Sequence, residues 1–191
     1  FIMVKSLSNA YNWYVYTTAT GTHLRFEGLN TNGTGTSGTS QFTTTSTLIE
    51  NVPGVASLNG SGEEMIAYCF SEISNYQKFG SYTGNATDDT AITVGFQPDF
   101  VIIKGADTAE NWSIMDSRRG GHVRMYANTN DDDEDTAGFS FTSTGFVIPR
   151  FGSFNNNGST FLYWAVAKNV PSINTLANSF KTVTYTGTGS A

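Results

Sequence analysis

The chain repeats itself. Residues 1–26 lie over residues 100–125 without a gap. Phe1, Lys5, Ala10, Asn12, Trp13, Gly21, His23 and Arg25 recur as Phe100, Lys104, Ala109, Asn111, Trp112, Gly120, His122 and Arg124. Asn30-Thr31-Asn32 falls over Asn128-Thr129-Asn130 after a shift of one residue, and 62–70 falls over 158–166. Self-similarity at a fixed period constrains the fold before any local signal does. A period of about 100 residues is the size of a small domain. The expectation is two tandem copies of one unit.

The phase of the repeat matters as much as its existence. Residues 78–84 (KFGSYTG) fall over 181–187 (KTVTYTG). Residues 74–168 therefore read as a complete repeat. Residues 1–73 read as a first repeat lacking its leading strand, and 169–191 as a linker and a C-terminal strand. A strand without a sheet exposes unpaired N–H and C=O groups. The expectation is that 178–187 completes the first repeat, within its own chain or in a neighbouring subunit by strand addition. The competing reading is a strand that frays at the end of a longer array.

Apolar segments are short and alternate. Trp13-x-Val15, Trp112-x-Ile114, Leu24-x-Phe26, Val123-x-Met125, Phe139-x-Phe141 and Phe146-x-Ile148 have the period of two that gives a strand one buried face. Residues 1–4 and 100–103 are continuous apolar runs, which suits central strands covered on both faces. Asn59-Gly60, Asn157-Gly158 and Gly120-Gly121 are turn pairs, and 31–38 is a polar loop. Helix is expected only as a single turn near 108–111. The fold class is all-β: two tandem β-sandwich, jelly-roll-like repeats.

Composition narrows the partners. Charged residues are 14% of the chain and aromatics 14%, with a net charge of −6 and no basic run. Nucleic acid is excluded as a partner, because phosphate binding needs clustered Lys or Arg. The single cysteine, Cys69, sits in an apolar run and reads as a buried free thiol. No stretch is long enough to span a membrane as a helix. There is no signal-peptide pattern, and a first residue other than Met suggests a processed or excised segment.

The candidate sites are few. Trp13 and Trp112 could stack on sugars, but the alternation around them favours core packing. His23 and His122, each two residues before an arginine, fall with those arginines on the face opposite the apolar positions. They read as structural hydrogen-bonding groups rather than acid–base catalysts. The run Asp131-Asp132-Asp133-Glu134-Asp135 could ligate Ca²⁺ weakly. It lacks EF-hand spacing, and residues 33–41 of the first repeat hold no acid, so a solvated loop is the stronger reading. The Glu63-Glu64 and Asp88-Asp89 pairs form no recognisable two-carboxylate hydrolase site. No catalytic residue and no required cofactor are expected.

Several motifs together resemble a known family. They are Ile66-Ala67-Tyr68-Cys69-Phe70-Ser71; Tyr76-x-Lys78-Phe79-Gly80-Ser81-Tyr82-Thr83-Gly84-Asn85; Gly95-Phe96-Gln97-Pro98-x-Phe100-Val101-x-Ile103-Lys104; and Asn111-Trp112-x-x-x-Asp116-Ser117. They are similar to an uncharacterised domain of tailed phages, found in marine phage virion genes, often after a LamG-like lectin jelly roll. The resemblance is close over 60–168 and looser over 1–59. It implies a virion-surface, extracellular protein: a tail fibre, an adhesin or a head appendage, with other virion subunits as partners. It carries over no catalytic residues.

The expected function is thus non-enzymatic: a structural or adhesive virion protein in a homo-oligomeric assembly. The alternative is a carbohydrate-binding module recognising host surface glycan through Tyr11, Tyr14 and Phe154. A glycan-degrading enzyme ranks below both.

Overall fold

The computed structural model describes residues 1–20, 24–26, 28–29, 31–37, 43–44, 49–50, 56–87, 89–150, 153–168 and 180–189. The regular structure of the described chain is nearly all strand. In order the strands are β1 (Ile2–Ser6), β2 (Tyr14–Thr17), β3 (Leu24–Phe26), β4 (Thr36–Ser37), β5 (Thr43–Thr44), β6 (Ile49–Glu50), β7 (Glu64–Phe70), β8 (Gln77–Thr83) and β9 (Thr90–Thr93). Then follow β10 (Pro98–Gly105), β11 (Ser113–Asp116), β12 (Val123–Tyr126), β13 (Glu134–Asp135), β14 (Ser140–Thr142), β15 (Gly145–Ile148), β16 (Thr160–Ala167) and β17 (Phe180–Thr186). Among the described residues, helix is confined to α1 (Ala56–Asn59) and a 3-10 turn (Ser117–Arg119). None is long and apolar enough to cross a membrane.

Two six-stranded antiparallel sheets form the body. The first has the order β17-β7-β1-β2-β3-β4 and the second β8-β16-β10-β11-β12-β13. Their registers coincide position by position. Met3 pairs with Val15 as Ile102 pairs with Ile114, Val4 with Ala67 as Ile103 with Tyr163, and Tyr185 with Met65 as Tyr82 with Phe161. A three-stranded sheet (β14-β15-β9) and a two-stranded one (β5-β6) complete the described strands.

Alternation along the central strands builds three apolar layers. On β1, Ile2 and Val4 face a cluster with Tyr14, Tyr16, Leu58 and Ala67. Phe1 and Met3 face the opposite way, with Val15 and Phe26, onto Ile102, Ala106, Trp112 and Leu162. On β10, Val101 and Ile103 face away from that seam onto Phe146, Ile148, Val94 and Phe139 above the three-stranded sheet. In the middle of each six-stranded sheet both faces are therefore covered. That is why its middle strands read as unbroken apolar runs. Removing one large apolar side chain from water contributes roughly 1.5–3 kcal/mol, so these layers dominate the stability.

Lys104 places a charge in the seam between the sheets. Lys104 is 1% exposed, and its Nζ donates to Gly105 O at 3.0 Å, Asn32 O at 3.4 Å and Thr108 O at 3.5 Å. It lies 5.4 Å from the Phe26 ring centre and 5.9 Å from that of Trp112. Lys5 repeats the local part of this motif, donating to Ser6 O and Asn9 O. Across the seam Trp112 Nε1 donates to Gly28 O at 3.2 Å.

Three local expectations need correcting. Residues 108–111 are not helical: the Glu110 amide bonds Thr108 O, which Lys104 also takes, so no helical ladder starts there. Asn59-Gly60 is not a turn pair. Asn59 ends α1, and the turn falls on Ser61-Gly62 with φ of 75° at Gly62, matching Asn157-Gly158 with φ of 76° at Gly158. Cys69 is half-buried rather than buried, although its counterpart Ala165 is fully enclosed.

Candidate interaction sites

The edge where β17 joins β7 is closed by a set of backbone and side-chain bonds. β17 pairs antiparallel with β7 from Phe180↔Phe70 to Thr186↔Glu64. Lys181, Thr182, Val183, Thr184 and Thr186 are exposed, and Tyr185 tucks partly under. The strand is held chiefly by its backbone and by a clamp at its far end. The Gly187 amide donates to Glu63 O at 2.7 Å and the Gly62 amide to Gly187 O at 2.8 Å. The Thr188 amide donates to Asn59 Oδ1 at 2.8 Å, and the Gly189 amide to Asn59 O at 2.9 Å. The Tyr185 hydroxyl donates to Leu58 O at 2.6 Å. Burial pushes that hydroxyl up to about 12.

The same clamp closes β8 on β16. Gly84 and Ser159 bond, Gly158 donates to Gly84 O, the Asn85 amide reaches Asn155 Oδ1 at 2.9 Å, and the Ala86 amide reaches Asn155 O at 2.9 Å. The Tyr82 hydroxyl donates to Phe154 O at 2.6 Å. A Cβ on Gly84 would collide with the Asn155–Asn156 backbone, and one on Gly187 with Gly60 O. Those two glycines are needed for close approach. The clamp asparagines carry no short-range sequence signal, because their partners lie 70 and 129 residues away. Only their matching place, three residues before Gly62 and Gly158, could have pointed to them.

The acidic run is partly neutralised. Asp133 pairs with Arg119 at 3.5 Å, and Glu134 pairs with Arg124. Glu134 also accepts from the Tyr126 hydroxyl at 2.6 Å. The bonds from Tyr126 and then Arg124 hold its carboxyl below the usual range. Burial, reinforced by the bond to Glu134, pushes Tyr126 up to about 12. Asp131, Asp132 and Asp135 are exposed. Among the described residues no three His, Cys, Asp or Glu side chains converge as a metal site would require.

Arg124 is 6% exposed, with its guanidinium between the Tyr126 and Phe154 rings at 4.8 and 5.2 Å and a bond to Ser153. The face it shares with His122 is thus covered at the arginine, contrary to the polar face expected, because Phe154 folds over it. His122 is exposed and bonds Gly120 O; His23 lies outside the described residues.

The aromatic candidates divide. Tyr11 is exposed. Tyr14 is buried with its hydroxyl accepting from Ser57, and Phe154 is 3% exposed under the Arg124 clamp. Neither buried ring has a free face for a sugar, and the structure does not bring the three together as one platform. Trp112 is buried at 2%, while Trp13 is half-buried against Tyr68. Glu63 is engaged by Ser6 and Asn9 and lies beside Glu64 at the β7 start. Asp89 Oδ1 accepts the Arg150 amide; Asp88 lies outside the described residues.

No curated protein and no solved structure matches this chain. The profile of a family described as a domain of unknown function (DUF7483) matches residues 1–171, which include both six-stranded sheets except for β17. The chain is a member of the DUF7483 family.

Proposed function

We propose that the chain is a non-enzymatic structural protein of a phage virion surface, such as a tail fibre, adhesin or head appendage, built from two tandem copies of one β-sandwich unit and working in a homo-oligomer. The virion part of this reading rests on the resemblance of residues 60–168 to the tailed-phage domain. The observation that supports the tandem-unit part is the coincident strand order and register of the two sheets, down to the same five-bond clamp. In this reading the first unit takes its leading strand from the far end of the chain. A stiff block with three apolar layers suits mechanical duty, and its low charge suits close packing of copies.

Light scattering on the purified chain tests the assembly: the expected mass is a multiple of 20.6 kDa, and a single-chain mass at all concentrations would contradict it. The glycan-binding alternative now leans on Tyr11 alone. A glycan array comparing the chain with Tyr11→Ala checks it, and binding abolished by that change would favour the alternative.

A further inference from the structure

We infer that the β7 edge, with its Asn59–Gly62 clamp, is a strand-exchange site whose partner is β17 of a second copy of this chain. The inference rests on the assembly reading above and names its contact. In the single chain the site is filled by the chain's own β17, yet little in the seam depends on that origin. The pairing is backbone to backbone over 180–186, and most side chains of the strand face solvent rather than the rest of the chain. The bonds of Tyr185, Gly187, Thr188 and Gly189 join Leu58, Asn59, Gly62 and Glu63 at the acceptor edge, and the Tyr185 ring packs on the apolar cluster of the acceptor sheet. A strand of identical sequence from another copy would make the same bonds.

The chain itself contains both modes of supply. At the second sheet the strand in this place, β8, runs on through β9 into the β10 of its own sheet. At the first sheet the strand follows β16, a strand of the other sheet. The acceptor edge thus already takes a strand delivered from a different sheet. Repeating that delivery between copies gives exchange of an identical element, a low-cost route to assembly. Residues 169–179 compete by tethering β17 at an effective concentration on the order of millimolar, so exchange is expected to grow as the protein approaches that level.

The native Cys69 lies directly opposite Lys181 in the register. The full chain carrying Lys181→Cys is refolded at dilute and at near-millimolar concentration. It is then bridged with a short bis-thiol reagent and run on a denaturing gel. Covalent multimers that increase with concentration, absent when Cys69 is also changed to Ser, are the expected result. A bridge confined to single chains at every concentration overturns the inference, and so does no bridge at all. If light scattering still gives a multiple of the chain mass in that case, the assembly reading stands and another contact carries it.

Discussion

Asn59 and Asn155 do the same work at two sheet edges. Each accepts a backbone amide at its side-chain oxygen and another at its own carbonyl. Asn155 also donates to Pro149 O and is 1% exposed. A buried partner left unsatisfied costs about 1–3 kcal/mol. Asn155→Ala should therefore lower the unfolding free energy by about 2 kcal/mol in a urea titration, and Asn59→Ala by less. Lys104 gives a pH signature. Burial, opposed by the charge of Glu110, lowers its ammonium from 10.5 to about 8. Between these values the unfolded chain binds the proton and the folded chain does not, so stability rises with pH across that window. Tyr16, Tyr126 and Tyr185, pushed up to about 12, act in the opposite sense above about pH 10. The urea midpoint should rise from pH 8 to 9.5, and Lys104→Met should flatten that rise.

At the scale of the element, β17 is anchored more by its clamp than by its side chains. Gly187→Ala places a Cβ against Gly60 O. It should raise amide exchange along 180–186 while leaving β8 unchanged. The strands themselves were legible in the sequence, because alternation such as Trp112-x-Ile114 reports one buried face and the runs at 1–4 and 100–103 report two. The likeness of β1 and β2 to β10 and β11 was legible from the gapless overlay of 1–26 on 100–125. Arg124 was not: the ring that buries it, Phe154, comes from the turn before β16, and its carboxylate, Glu134, from the short strand β13 paired beside it. The same folding-over turned Phe154 from an apparent loop aromatic into a covered one. The clamp was illegible because it joins side chain to backbone across long sequence separations.

At the scale of the molecule, the seam layer ties the two sheets together. Val15 and Phe26 pack with Ile102, Trp112 and Leu162, so neither sheet keeps both faces covered without the other. Calorimetry should show a single transition for the described body. Leu162→Ala, at 5% exposure, should cost about 2–5 kcal/mol and move that transition without splitting it. Two separate transitions would mean the sheets fold independently.

The central claim is that the C-terminal strand completes the first sheet as β8 completes the second. Hydrogen exchange of the amides of 180–186, compared with those of 77–83, tests it most directly. Alternating protection along 180–186, of the same order as in β8, is the predicted result. Exchange at the rate of an unstructured chain throughout 180–186 would contradict it.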